Sequence, residues 1–240
     1  MRWEFTSDEF MHIWKETGQD RYPFPLRLLA SVQWEDEFEQ IARELRQRLP
    51  LGGDPDVSAM LRVAADPETS LALTGTRRRP LRAYGAIDTN VGLTFVQRPG
   101  PRDDFGGNVV IELGSPAIVP KVFAAVLGDV PAGRQPALVE SADRIRKDLE
   151  SWSGTRETTS DRMRRLLRAP RAGSGHIEVR CEVRSSRPLP PQYLSWFDVE
   201  GDGRYLHREQ HNDFHVIPCS QEMIRNEIVR MTQQYSQRTY

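Results

Sequence analysis

Twice along this chain the spacing of apolar residues switches from two to about 3.6, in the same order. The runs "SLALTGT", "LRAYGAID", "VGLTFVQ" and "NVVIEL" alternate apolar and polar positions and are separated by turn residues. Such a series predicts an antiparallel meander. Pro116 then opens "PAIVPKVFAAVLG", where the period becomes helical and Gly128 supplies the stop. After a Gly/Ser break at 173–175 the pattern recurs. "HIEVRCEV", "YLSWFDV", "RYLHRE" and "DFHVIP" read as strands, and "SQEMIRNEIVRMTQQYSQ" as a closing helix. Ser220 is its N-cap, and Ile224, Ile228, Met231 and Tyr235 form its apolar stripe. The chain shows no sequence repeat, yet the order predicts two similar α+β halves, about 1–135 and 136–240.

Helices are also predicted before and between these blocks. "TSDEFMHIWKETG" opens on Thr6 or Ser7, carries acids in its first turn and stops at Gly18. In "WEDEFEQIARELRQR" (34–48), Trp34, Phe38, Ile41 or Ala42, and Leu45 recur at helical spacing. Its acids come early and its arginines late, which suits the helix dipole. A shorter helix is predicted over about 55–65. "RQPALVESADRIRKDLESW" places Ala142, Ile145, Leu149 and Trp152 on one stripe, and "DRMRRLLRA" ends before Pro170.

Composition removes several classes of function. The net charge of −1 provides no global field toward nucleic acid or an anionic membrane. Cys181 and Cys219 are the only cysteines among 240 residues, which fits a reducing cytoplasm and no disulfide framework. The first twenty residues carry acids from Glu4 onward and no apolar h-region, so they do not read as a signal peptide. The apolar stretch around Pro120 and Lys121 is too short for a membrane span.

One stretch invites a metal reading. "DVEGDGRYLHRE" (198–209) places Asp198, Glu200, Asp202, Gly203 and Glu209 on the calcium-loop pattern. An EF-hand holds that loop between helices, whereas the flanks here are β-like and include Arg204 and Arg208. A hairpin turning at "EGDG" accounts for the same acids and glycines. His207, His211 and His215 overlap it at i, i+4, i+8, a zinc spacing on a helix. The local sequence is not helical, so a solvated β-face is expected for them. A metal protein or enzyme built on this loop or these histidines stands as the alternative function.

The arginine runs Arg77–Arg79 and Arg162, Arg164, Arg165, Arg168 read as solvated, since nucleic-acid binding wants net positive charge and interleaved aromatics. No Walker loop, GxSxG elbow, GxGxxG or CxxC pair occurs. No catalytic residue, metal or cofactor is therefore expected.

Several segments together resemble the EspG family, the ESX (type VII) secretion-associated proteins of actinobacteria. They are "PFPLRL" with the acid-rich helix after it, "LALTG…LRAYGAID", and "VVIELGSPAIVPKVFAAVL". The closing series is "GHIEVRCEV", "LSWFDVEGDGRYL" and "FHVIPCSQEMIRNEIVRM". The resemblance covers nearly the whole chain as one domain and implies an α+β fold: two related halves, central antiparallel sheets, helical bundles beside them. It also implies a cytosolic, non-enzymatic specificity chaperone that keeps a helical PE–PPE-like or WXG-like secretion substrate soluble for export, with a homodimer among the expectations. Family contacts use the loop between the second and third strands and the C-terminal helical bundle. Matched here, these are the turn Asp88, Thr89, Asn90, Val91 and the outer face of the last helix, with Arg225 and Arg230.

Overall fold

The computed structural model describes residues 1–146 and 158–233. It opens with β1 (Arg2–Phe5), α1 (Ser7–Trp14), α2 (Glu35–Arg48) and α3 (Pro55–Ala65). The first meander is β2 (Thr69–Arg77), β3 (Arg79–Asp88), β4 (Val91–Pro99) and β5 (Gly106–Gly114), followed by α4 (Ile118–Leu127). The second series is β6 (Leu138–Ser141), α5 (Ala142–Arg146), α6 (Thr159–Arg168), β7 (Arg171–Arg180), β8 (Gln192–Val199), β9 (Arg204–Gln210), β10 (Asp213–Pro218) and α7 (Gln221–Gln233).

All ten strands join one antiparallel sheet, ordered β1-β5-β4-β3-β2-β7-β8-β9-β10-β6. Outward from the β2–β7 seam, both sides run through four meander strands. Each ends on the short strand that opens its half. The seam pairs Ser70 through Thr76 with Arg180 through Ser174, and Leu73 lies opposite Ile177. A division near residue 135 falls between α4 and β6.

Alternation along each strand divides the core between the faces. Ala83 and Ile87 of β3 face α4 and α7, where Phe123, Leu127, Ile224 and Ile228 are buried. Tyr84 and Ala86 face α1 and α3, with Phe10, Trp14, Met60 and Phe95. The Phe10 and Phe95 rings meet edge-on at 5.3 Å between centroids. On the other half, Leu138, Met163, Leu166, Phe197 and Val216 form a smaller core under α6.

Local sequence explains the helix ends. Glu9 N donates to Thr6 Oγ1 at 3.3 Å while Thr6 N donates to Glu9 Oε2 at 2.8 Å, a capping box for α1. Asp54 caps α3 ahead of Pro55 by accepting from Asp56 N at 2.9 Å. Met223 N donates to Ser220 Oγ at 3.2 Å, the predicted cap of α7.

The structure departs from the periodicity at three places. Leu138–Ser141 is a strand, because pairing Val216 with Leu138 extends the sheet and buries Leu138. The helix begins only at Ala142, and Leu149, Trp152 and Tyr235 lie outside the described residues. The glycines at 173–175 do not break the chain but sit inside β7. Gly175 pairs with Gly75, and a Cβ on Gly175 would stand 2.2 Å from the Thr74 carbonyl oxygen. Glycine is the residue that lets β2 and β7 approach so closely. Finally, α2 is a helix as predicted, but its apolar stripe is mostly outside the core: Leu45 alone is buried, while Trp34 is 70% and Phe38 43% exposed.

Candidate partner-binding site

The segment 198–209 is a hairpin, with β8 and β9 joined by a turn at 200–203. Two of its carboxylates, Asp198 and Asp202, already have partners. Arg204 donates from Nε to Asp198 Oδ1 at 2.7 Å and from Nη2 to Asp198 Oδ2 at 3.0 Å, with both residues buried. The same guanidinium donates to the Leu127 carbonyl at 2.7 Å and the Gly128 carbonyl at 3.1 Å. A buried cation thus satisfies the last carbonyls of α4 and complements its dipole. Asp202 accepts from Arg134 N at 2.9 Å and from the Tyr205 hydroxyl. Burial, then the hydrogen bond to Asp202, pushes Tyr205 up to about 12.

The three histidines do not converge. His207 lies opposite Val216 and His215 opposite Arg208, so their side chains leave the sheet on opposite faces. His211 is in the β9–β10 turn with φ of +57°. His207 is not on a solvated face. It packs between Phe197 and Phe214, with centroids 5.8 and 5.9 Å away, and burial followed by the nearby Arg171 charge lowers its pKa. Among the described residues, no group of three or more His, Cys, Asp or Glu side chains is placed to hold a metal ion. Arg77, expected to be solvated, instead donates to the Leu127 carbonyl at 3.2 Å.

The turn at 88–91 and the last helix meet at one cleft of about 660 Å³. Thr89 and Ile87 form one wall, Pro116 and Ala117 the floor beside α4, and Val229 and Thr232 of α7 the other wall. Glu68 is the one ionisable side chain among its described lining residues. Asp88 is spent on fold: Arg184 Nη2 donates to its Oδ2 at 2.7 Å, and Arg184 Nε donates to the Asp66 carbonyl at 2.9 Å. No sequence signal marks Arg184, which lies 96 residues from Asp88. Arg230 is on another face of α7, bonded to Glu227 and lining a smaller cleft of about 190 Å³ with Tyr193 and Met223. Arg225 is exposed on α7 and lines neither cleft.

The pseudo-symmetry gives the larger cleft a counterpart. Asp198 and Arg204 close the β8–β9 hairpin as Asp88 and Val91 close β3–β4. Cys219 precedes α7 where Ser115 precedes α4. At the β8–β9 position, however, the chain leaving α4 fills the space. Arg204 N donates to Pro131 O at 2.8 Å and Gly133 N to Arg204 O at 3.0 Å. A Cβ on Gly203 would lie 2.7 Å from the Pro131 and Ala132 carbonyl oxygens. One of two equivalent positions is sealed by the molecule's own backbone, and at the other no such strap is present among the described residues.

Counted from β1, the turn at 88–91 joins the third and fourth strands. The second and third are joined through Arg78, at φ of +62°.

A ten-stranded antiparallel sheet in two like halves, flanked by helices and carrying a cleft between the β3–β4 turn and α7, places the chain in the α+β class. The model of the EspG family matches residues 6–230, and this chain belongs to that family. Among solved structures, the EspG5 chaperone of the Mycobacterium tuberculosis type VII secretion system, in complex with a PE25–PPE41 dimer, superimposes with a TM-score of 0.65. The likeness covers 97% of each chain at 13% identity. No curated protein sequence matches. No helix among the described residues is long and apolar enough to cross a membrane.

Proposed function

We propose that this chain is a non-catalytic, cytoplasmic specificity chaperone of a type VII secretion system, and that it holds the helical tip of a PE–PPE-type substrate. The family supports this reading, as does the fold shared with EspG5, which was captured with a PE–PPE dimer. The observation that carries the placement is the open cleft uniting Thr89 with Val229 and Thr232 of α7, set against a counterpart already filled. An exposed apolar helix tip aggregates, and a concave, nearly uncharged surface covers it. Thr89 and Asn90 then contact the partner while Asp88 holds the turn through Arg184.

The test is co-expression of the chain with PE–PPE pairs encoded in its own genome, followed by affinity purification. A stoichiometric complex that Thr232→Trp and Ala117→Trp each abolish, with unchanged circular dichroism, supports the reading. A complex untouched by both substitutions removes the cleft from the interface. Recovery of WXG-type helical hairpins instead of PE–PPE pairs changes the substrate class.

A further inference from the structure

The first half of α2 presents a largely exposed apolar ridge. Trp34 and Phe38 are 70% and 43% exposed, one helical turn apart. Core packing does not explain an exposed tryptophan and phenylalanine on one stripe. Trp34 occupies the N-cap position without accepting any capping hydrogen bond, so its side chain has no role in starting the helix.

The charge around this ridge is one-sided. Glu35, Asp36, Glu37 and Glu39 lie between residues 34 and 40, and that window contains no Lys or Arg. At 100° per residue, Glu35 and Glu39 fall on one flank of the Trp34–Phe38 stripe and Glu37 on the other. Glu35, Asp36 and Glu37 form no ion pair among the described residues. Lys15 Nζ is 6.0 Å from the Phe38 ring centroid, and Arg43 Nε donates to the Glu39 carbonyl at 3.4 Å one turn further on. Toward its C-terminal end α2 is anchored, by buried Leu45 and by the Arg48–Glu9 ion pair. Thus one end of the helix is fixed to the body and the other presents aromatics between carboxylates.

We infer that this end of α2 docks an amphipathic helix of another protein, one that carries an apolar ridge with Lys or Arg on both flanks. Burying Trp34 and Phe38 supplies the anchoring contacts, and the flanking carboxylates select basic residues and set orientation. A second copy of the same surface does not fit, because it would oppose carboxylates with carboxylates. The site is separate from the cleft between the β3–β4 turn and α7, so a chaperone carrying substrate there still has this face available.

The experiment titrates the full chain with two synthetic 18-residue amphipathic peptides, each fluorescently labelled and followed by anisotropy. One has a leucine ridge flanked by lysines and the other the same ridge flanked by glutamates. The lysine peptide should bind, and more weakly as salt rises. Binding should fall at least about tenfold in Trp34→Ala/Phe38→Ala, as loss of interface anchors does. Glu35→Lys/Glu37→Lys/Glu39→Lys should reverse the preference toward the glutamate peptide. These residues are exposed, so each variant should keep its melting temperature. Equal binding of the two peptides, or lysine-peptide binding unchanged by both variants, overturns the inference. Thr232→Trp, which blocks the substrate cleft, should leave this titration unaltered, so the two proposals fail independently.

Discussion

Arg204 and Asp198 form a bidentate ion pair with no solvent exposure to speak of, 0% and 2% for the two side chains. The guanidinium also lies 5.2 Å from the Trp196 ring centroid. This pair joins the β8–β9 hairpin to the end of α4 and so couples the two halves. Arg204→Met should cost about 3–5 kcal/mol, because it leaves a buried carboxylate with no cation. Asp198→Leu/Arg204→Met should recover much of that loss. Urea unfolding of the three proteins measures it; a single variant as stable as the parent would contradict the role assigned to the pair.

Calcium, zinc and EDTA should leave the melting temperature unchanged. A site that binds metal only in the folded state must raise it by mass action. Here Asp198 serves Arg204, and Asp202 serves Arg134 and Tyr205. Asp202→Asn should weaken the hold of the 131–135 segment on the hairpin without changing any response to metal. A calcium-dependent rise of several degrees in the parent, lost in the variant, would restore the calcium-loop reading.

The seam between β2 and β7 should not tolerate a side chain at Gly175. The Thr74 carbonyl oxygen lies 2.2 Å from where the Cβ would go, and it belongs to backbone that cannot turn aside. Gly175→Ala should destabilise by about 1–3 kcal/mol through forced displacement of the strands. Gly201→Ala makes a useful comparison, since a Cβ there meets nothing within 4 Å and only its φ of +71° resists substitution.

The Glu227 carboxyl is held below its ordinary value of 4.5, chiefly by hydrogen bonds from Arg230 and against the opposing effect of burial. A depressed folded-state pKa contributes stability above the unfolded value and loses it as pH falls through the folded one. Arg230→Ala should therefore raise the Glu227 pKa and remove a small stabilisation that the parent shows above about pH 4.5 and loses in acid. Carbon-detected NMR titration of Glu227 follows the shift directly. No movement on substitution would mean that Arg230 is not its partner in solution.

Most elements of this fold were legible in the chain because their signals are local. Asp54 and Pro55 start α3 wherever it packs, and the alternation in "LRAYGAID" makes a strand before any partner is known. The hairpin at 198–204 was likewise readable, since its flanks are β-like on both sides. What composition and spacing fixed, then, were the periods, the caps and the turns, each set by residues within a few positions of one another. Tertiary structure decided the rest. Leu138–Ser141 became a strand because β10 offered an open edge. Gly75 and Gly175, a hundred residues apart, turned two half-sheets into one by letting their backbones meet. The stripe of α2 was readable as apolar, but not that the body reaches only as far as Leu45. Thr89 and Thr232 came to share a cleft, and Arg204 to close its counterpart, through packing between elements that no local pattern relates.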